Sequence, residues 1–278
     1  MTCATFTIFY NRVKVSWLSL IWGNFGGLIG IFVGLAWIAP NMPPAYSKMV
    51  FVSIFFAFAI NLFVLNCWKK RKTYLKVEYP TGWSRLILFI AGIVGGILTA
   101  ISGSGLDICS FSVLTLVFRM SEKIATPTSV VLMASNAILG FFYQASRGVI
   151  ADESWIYFAS SVCIVPLGAP LGAFISAYLH RQVLAVFVYF TDTAQFILAC
   201  IVLRKQLAAS VGLILTTVFC LLGALGFYFL LRIIGGYRAE RVERLNAAKL
   251  LELKGQAMDE KGPKVLESAW EESGYDLN

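Results

Sequence analysis

Ser102-Gly-Ser-Gly-Leu-Asp107 places two hydroxyls, two glycines and a carboxylate inside an otherwise apolar run, Ala91–Gln144. Backbone that leaves its helix at membrane depth persists only where protein encloses it. Glycine lets the chain break there. A helix restarting at Ile108 would point its positive end back at the break. With the hydroxyls of Ser102 and Ser104 and the backbone of Gly103 and Gly105, that end suits a small anion. Gly92, Gly95 and Gly96 fit plain helix packing instead. Asp107 is one of two acids deep in apolar sequence, where a carboxylate is costly and usually functional. Two readings of it stand: coupling a proton to anion movement, or capping the restarted helix.

A second polar stretch, Ala125-Thr-Pro-Thr-Ser129, reads as another helix start, with Thr126 as N-cap and Pro127 in the first turn. Thr126, Thr128 and Ser129 would crowd that end with hydroxyls. Two such ends facing each other would enclose an anion without a buried cation. Asn136, about two turns further on, would add an amide donor. Asp192, the other deep acid, lies in Tyr189-Phe-Thr-Asp-Thr-Ala-Gln195, with Gln195 within one helical turn. Both are expected to line the pathway, the alternative for Asp192 being a buried, paired structural acid.

No Ser/His/Asp set, phosphate loop or metal-spaced cluster is present, so no enzyme activity, metal or cofactor is expected. The single histidine, His180, sits beside Arg181 at a span end and reads as interfacial. Cys3, Cys67, Cys109, Cys163, Cys200 and Cys220 are scattered through apolar runs and read as small buried hydrophobes.

The elements that hold these residues follow from composition. The 278 residues are 58% hydrophobic and 14% charged, where a soluble domain carries roughly a quarter charged. The net charge of +8 does not mark a nucleic-acid binder, because the basic residues of 1–236 fall between apolar runs, as topology signals do. The expected fold is an all-α polytopic transmembrane bundle of about eight membrane segments with broken helices and the lipid bilayer as its surroundings. Full spans are expected over 15–39, 47–67, 85–101, 127–145, 155–177, 181–203 and 208–231. Ile108–Phe118 is too short to cross alone, so 85–118 reads as two arms meeting at the first break.

Lys69-Lys-Arg-Lys72 with Lys76 is the strongest cytoplasmic signal. With 85–118 as a hairpin, Arg12, Lys14, Arg119, Lys123, Arg181, Arg232 and Arg238 share that side, and Arg147, Arg204 and Lys205 lie opposite. Both termini are then cytoplasmic. Pro166 and Pro170, with Gly168 and Gly172, are expected to bend 155–177. Residues 237–278 form a charged cytoplasmic tail in which Val242, Leu245 and Leu251 recur at helical spacing, as in a surface helix. A weak echo between Gly26-Gly-Leu-Ile-Gly-Ile-Phe-Val-Gly34 and Pro166-Leu-Gly-Ala-Pro-Leu-Gly-Ala-Phe174 would relate inverted copies.

Gly95-Gly96, Ser102-Gly-Ser-Gly105, a short apolar helix and then Ser121-Glu-Lys-Ile-Ala-Thr-Pro-Thr-Ser129 resemble, in that order, the glycine-rich and "A-x-x-T-S" motifs of the sulfite exporter TauE/SafE permeases. The match is specific over roughly 85–145 and looser over 15–67 and 155–203. The resemblance implies two inverted repeats and small sulfur-containing anions: sulfite, sulfonates or related organosulfur compounds. It implies that Ser102 to Gly105 and Thr126 to Ser129 line the pathway. The family's three glycines are here Gly103-Ser-Gly105, a more polar run. Only one copy of the motif is present, so 15–67 is expected to be the remnant of a first repeat, 85–203 the second and 208–231 a final span. A partner half or a homo-oligomer would complete the carrier. The competing class is a non-transporting membrane scaffold or assembly protein acting through its tail.

Overall fold

The computed structural model describes residues 2–10, 12–67, 74, 82–168, 171–172, 181–204 and 210–259. Its helices are α1 (Thr2–Tyr10), α2 (Trp17–Val33), α3 (Pro44–Cys67), α4 (Gly82–Ser102), α5 (Leu106–Ser112), α6 (Glu122–Ser146), α7 (Asp152–Val162), α8 (Arg181–Val202) and α9 (Val211–Asp259). α2 continues through a π-helical turn, Gly34–Ile38, and α5 through another, Val113–Val117. Among the described residues, five helices are long and apolar enough to cross a membrane: those of Trp17–Asn41, Pro44–Phe63, Gly82–Ser102, Glu122–Ser146 and Val211–Asn246. The fold is all-α, and the only strand-like pairing among these residues is an isolated bridge between Tyr74 and Met120.

Glycines decide how closely the helices pack. A Cβ on Gly92 would lie 2.5 Å from the Gly23 carbonyl oxygen, and one on Gly30 or Gly96 would strike backbone of the facing helix. α2 and α4 therefore run side by side with almost nothing between them, the small-residue mode of association in lipid. The contacts step upward together, Gly26 with Phe89, Gly30 with Ile93 and Gly34 with Ala100, so the two helices are parallel. α6 is parallel to both: Gly23 meets Leu132, Gly27 meets Asn136, and Gly140 meets Ile31.

α5 runs the other way. Gly95 faces Leu106 and Cys109, and Leu106 bonds to Thr99. Tyr74, between α3 and α4, accepts from the Ser121 amide and donates to the Arg119 carbonyl, both at 2.9 Å. The short arm thus returns to the level where α4 begins, as a hairpin. It covers the distance with 12 residues, Leu106–Val117, roughly 18 Å of helix against roughly 30 Å for α4. Its π turn fills the core: Val113, Leu114, Leu116 and Val117 are buried against Val50, Ile54, Tyr228 and Leu231.

α8 is antiparallel to α3, with Phe196 stacked on Phe56 and Tyr189 edge-on to Phe63. α9 is parallel to α3, since Gly212 faces Tyr46 and Gly235 faces Leu116. One end of the bundle thus carries Arg12, Lys14, Arg119, Lys123, Arg181 and Arg238. Arg147 and Arg204 are at the other. This is the grouping of the hairpin topology. Lys69–Lys72, Lys76, Lys205 and His180 lie outside the described residues.

Four expectations are corrected. The helix after the first break begins at Leu106 rather than Ile108. The helix expected at 127 begins at Glu122, behind Ser121. The span expected over 155–177 is not one helix: α7 stops at Val162, four residues before the bend expected from Pro166, because proline clashes with the preceding turn. Pro170 and 173–177 lie outside the described residues. The tail does not start a new helix, because α9 passes through Gly235-Gly236 unbroken to Asp259. Among the cysteines, Cys109 is buried but Cys163 is exposed.

Candidate functional site

The first break is real and compact. α4 ends at Ser102, and Gly103 turns the chain with φ +83°, a conformation that favours glycine. Nothing lies within 4 Å of a Cβ there, so the backbone angle, not space, selects glycine. Gly105 is selected by space, since a Cβ would lie 2.6 Å from Leu98 Cβ. Leu106 then opens α5, its amide donating to Thr99 Oγ1 at 3.0 Å. Thr99, seven residues upstream and unremarkable in sequence, is thereby part of the break.

The two serines are not idle. Ser102 Oγ lies 2.7 Å from the Leu98 carbonyl oxygen and 2.6 Å from that of Ser104. Ser104 Oγ donates to the Asp107 carboxylate, 3.1 Å from Oδ1 and 3.2 Å from Oδ2. Asp107 is half-buried in the first turn of α5 and is not its N-cap, a place held by Gly105. The helix end expected to receive an anion therefore already faces a carboxylate. Its charge there complements the helix dipole.

Asn136 joins this level of the bundle. It is 1% exposed, its amide meets Leu106 over the bare Cα of Gly27, and its Nδ2 has no hydrogen-bond partner among the described residues. Buried donors are nearly always paired, so an unpaired one at the bundle centre stands out. One residue away, Ser135 Oγ donates to Asn24 Oδ1 at 2.6 Å, tying α6 to α2.

The second stretch behaves otherwise. Pro127 lies inside α6, more than a turn from its start, and Thr126 is not the N-cap. Ser121 and Glu122 make the better helix start, because an acid in the first turn complements the dipole. Thr128 is fully buried, donating to the Ile124 carbonyl at 2.6 Å and accepting from the Ser16 amide at 3.0 Å. Ser129 donates to the Thr126 carbonyl at 2.9 Å, and Thr126 faces outward. These hydroxyls are spent on helix and bundle. Thr128 is eight residues, about 12 Å, below Asn136 along α6. The structure does not bring Thr126, Thr128 and Ser129 to the Ser102–Gly105 break, so two facing helix ends are not formed.

Asp192 is 7% exposed, with Oδ2 unpartnered among the described residues. Tyr228 of α9, which the sequence gave no reason to single out, is 5% exposed and within electrostatic reach of both Asp107 and Asp192. Gln195, one turn from Asp192, lines an open cavity of about 390 Å³ that also touches Ser102. The structure thus brings Ser102 and Gln195 together and groups Ser104, Asp107, Thr99 and Asn136 around the break. Among the described residues no cluster of three or more His, Cys, Asp or Glu could hold a metal.

A family model described as "Sulfite exporter TauE/SafE" matches residues 1–194, from α1 into α8. Among curated proteins and among solved structures, none matches.

Proposed function

We propose that this chain, which belongs to the sulfite exporter TauE/SafE family, is a carrier for a small sulfur oxyanion, sulfite first and sulfonates or related organosulfur compounds next. The family makes it an integral, multi-pass membrane protein of transport type. The observation that carries the finer reading is the pairing of Ser104 with Asp107 at the mouth of a broken helix, beside the unpaired amide of Asn136.

The mechanism follows from charge. An anion cannot share the head of α5 with an ionised carboxylate a few ångströms away. A proton on Asp107 removes that conflict and frees Ser104 to donate to the solute instead. Anion and proton then occupy the site together, and Asp192, the other deep acid, is the second station for the proton. Movement of the short α5 arm about Gly103 alternates access, with both termini on the cytoplasmic side. The partner in this reading is the anionic solute, and the bilayer is the solvent.

The test is sulfite flux into proteoliposomes, with sulfate and a sulfonate as competitors, at two pH gradients. Saturable flux that follows the gradient in the parent protein and ignores it in Asp107→Asn supports the reading. Absence of flux for all three anions from well-folded protein overturns it.

A further inference from the structure

The cavity that joins Ser102 to Gln195 lies between the start of α3, the end of α4 and the outer half of α8. Its volume is about 390 Å³, and Lys48 is the one charged residue in its lining among the described residues. We infer that this cavity is an anion vestibule in which Lys48 holds the oxyanion on its way to or from the Ser104–Asp107 break. This rests on the transport reading above.

Helix stability does not account for Lys48. It stands just past the first turn of α3, near the positive end of the helix dipole, where a cation gains nothing. Its neighbours three and four positions away are Pro44, Ala45, Phe51 and Val52, none of which can pair with it. Among the described residues no acid lines the cavity.

The other polar groups sort themselves by what they already do. Ser47 Oγ donates to the Ile101 carbonyl, and Ser102 Oγ is held between the carbonyls of Leu98 and Ser104. Their protons are committed. Lys48 and Gln195 make no hydrogen bond with any described residue, so the ammonium and the amide are the donors left for a solute. A lysine head is a compact point charge rather than a planar fork, which suits a rounded oxyanion and sets no demand for bidentate geometry. The rest of the wall is apolar, with Phe51 and Leu198 prominent. A short alkanesulfonate fits that surface better than sulfate does: its charged head meets Lys48 and Gln195, and its tail covers Phe51. Through Ser102, whose hydroxyl touches the Ser104 carbonyl, the vestibule is coupled to the break itself.

Two measurements decide the matter. In the first, full-length protein in detergent is treated with an amine-acylating reagent, and acylation of Lys48 is followed by peptide mass spectrometry with ethanesulfonate, sulfate or phosphatidylglycerol added. Slower acylation with ethanesulfonate, stronger than with sulfate and lost in Gln195→Ala, is expected. No protection by either small anion, or protection by the phospholipid alone, overturns the inference. In the second, ethanesulfonate flux is compared in Lys48→Gln and Lys48→Arg. Removing one charge-assisted hydrogen bond raises KM about tenfold or more in Lys48→Gln, with kcat nearly unchanged and Lys48→Arg close to the parent. Parent-level KM in Lys48→Gln overturns the inference while the transport reading stands. Protection of Lys48 without flux from the parent would sink the transport reading and leave the anion site in place.

Discussion

Leu106 donates its amide hydrogen to Thr99 Oγ1 at 3.0 Å, and the Thr99 hydroxyl donates in turn to the Gly95 carbonyl at 2.8 Å. A helix that starts afresh leaves its first amides without partners. Here the preceding helix supplies one, so the end of α4 holds the head of α5 against it. Thr99→Val keeps the shape and deletes the acceptor. The expected loss is about 1–3 kcal/mol, read as a lower thermal midpoint in detergent, with Thr99→Ser restoring most of it.

Two glycines of the same region should fail for different reasons. Gly30→Ala drives a methyl into the backbone of α4 at Ile93, and overpacking of this kind costs about 1–3 kcal/mol. Gly103→Ala meets open space but must hold φ +83°, at about 1–2 kcal/mol. Asparagine tolerates that angle, so Gly103→Asn should recover stability where Gly30→Asn cannot. Thermal unfolding of the four variants separates backbone strain from crowding.

Asn136→Leu tests whether the unpaired amide serves the solute. Exchanging a buried, unsatisfied donor for an apolar side chain of like size leaves folding unharmed or improves it. Flux of sulfite should nevertheless fall by about tenfold or more, the size of one lost hydrogen bond to an anion. Flux unchanged from the parent would show that the amide takes no part.

The tail divides the two function classes. Arg238 lies 4.1 Å above the Phe118 ring, and Val242 is buried, so the first turns past the span belong to the bundle. A chain ending after Asn246 keeps both contacts. It should transport like the parent, whereas a scaffold working through its tail would lose its function. Arg238→Ala in the full chain should lower stability by about 0.5–1 kcal/mol through the lost cation–ring contact.

Much of this was legible because the signals are local. Hydropathy marks the long helices, and Ser102-Gly-Ser-Gly105 marks the break, since residues that leave a helix look alike wherever they occur. The upstream glycines were readable as packing because Gly92 and Gly96 are one turn apart. The resemblance to the family is carried by the same stretch, and the family model itself extends over residues 1–194. Thr126-Pro-Thr misled because proline near a helix start is usual, and Ser121-Glu, five residues earlier, satisfies the same rule better. Thr99, Lys48 and Tyr228 were invisible for another reason. Each acquires its role only when a distant helix is laid against it, and no spacing within the chain encodes that.

α9 runs without interruption from Val211 to Asp259, 49 residues and roughly 74 Å. A helix with no joint where it leaves the bundle behaves as a lever. Its fulcrum is the contact of Gly235 with the short returning arm at Leu116, the element that borders the break. One unbroken helix therefore joins the returning arm at Leu116 to the charged residues that follow the last span.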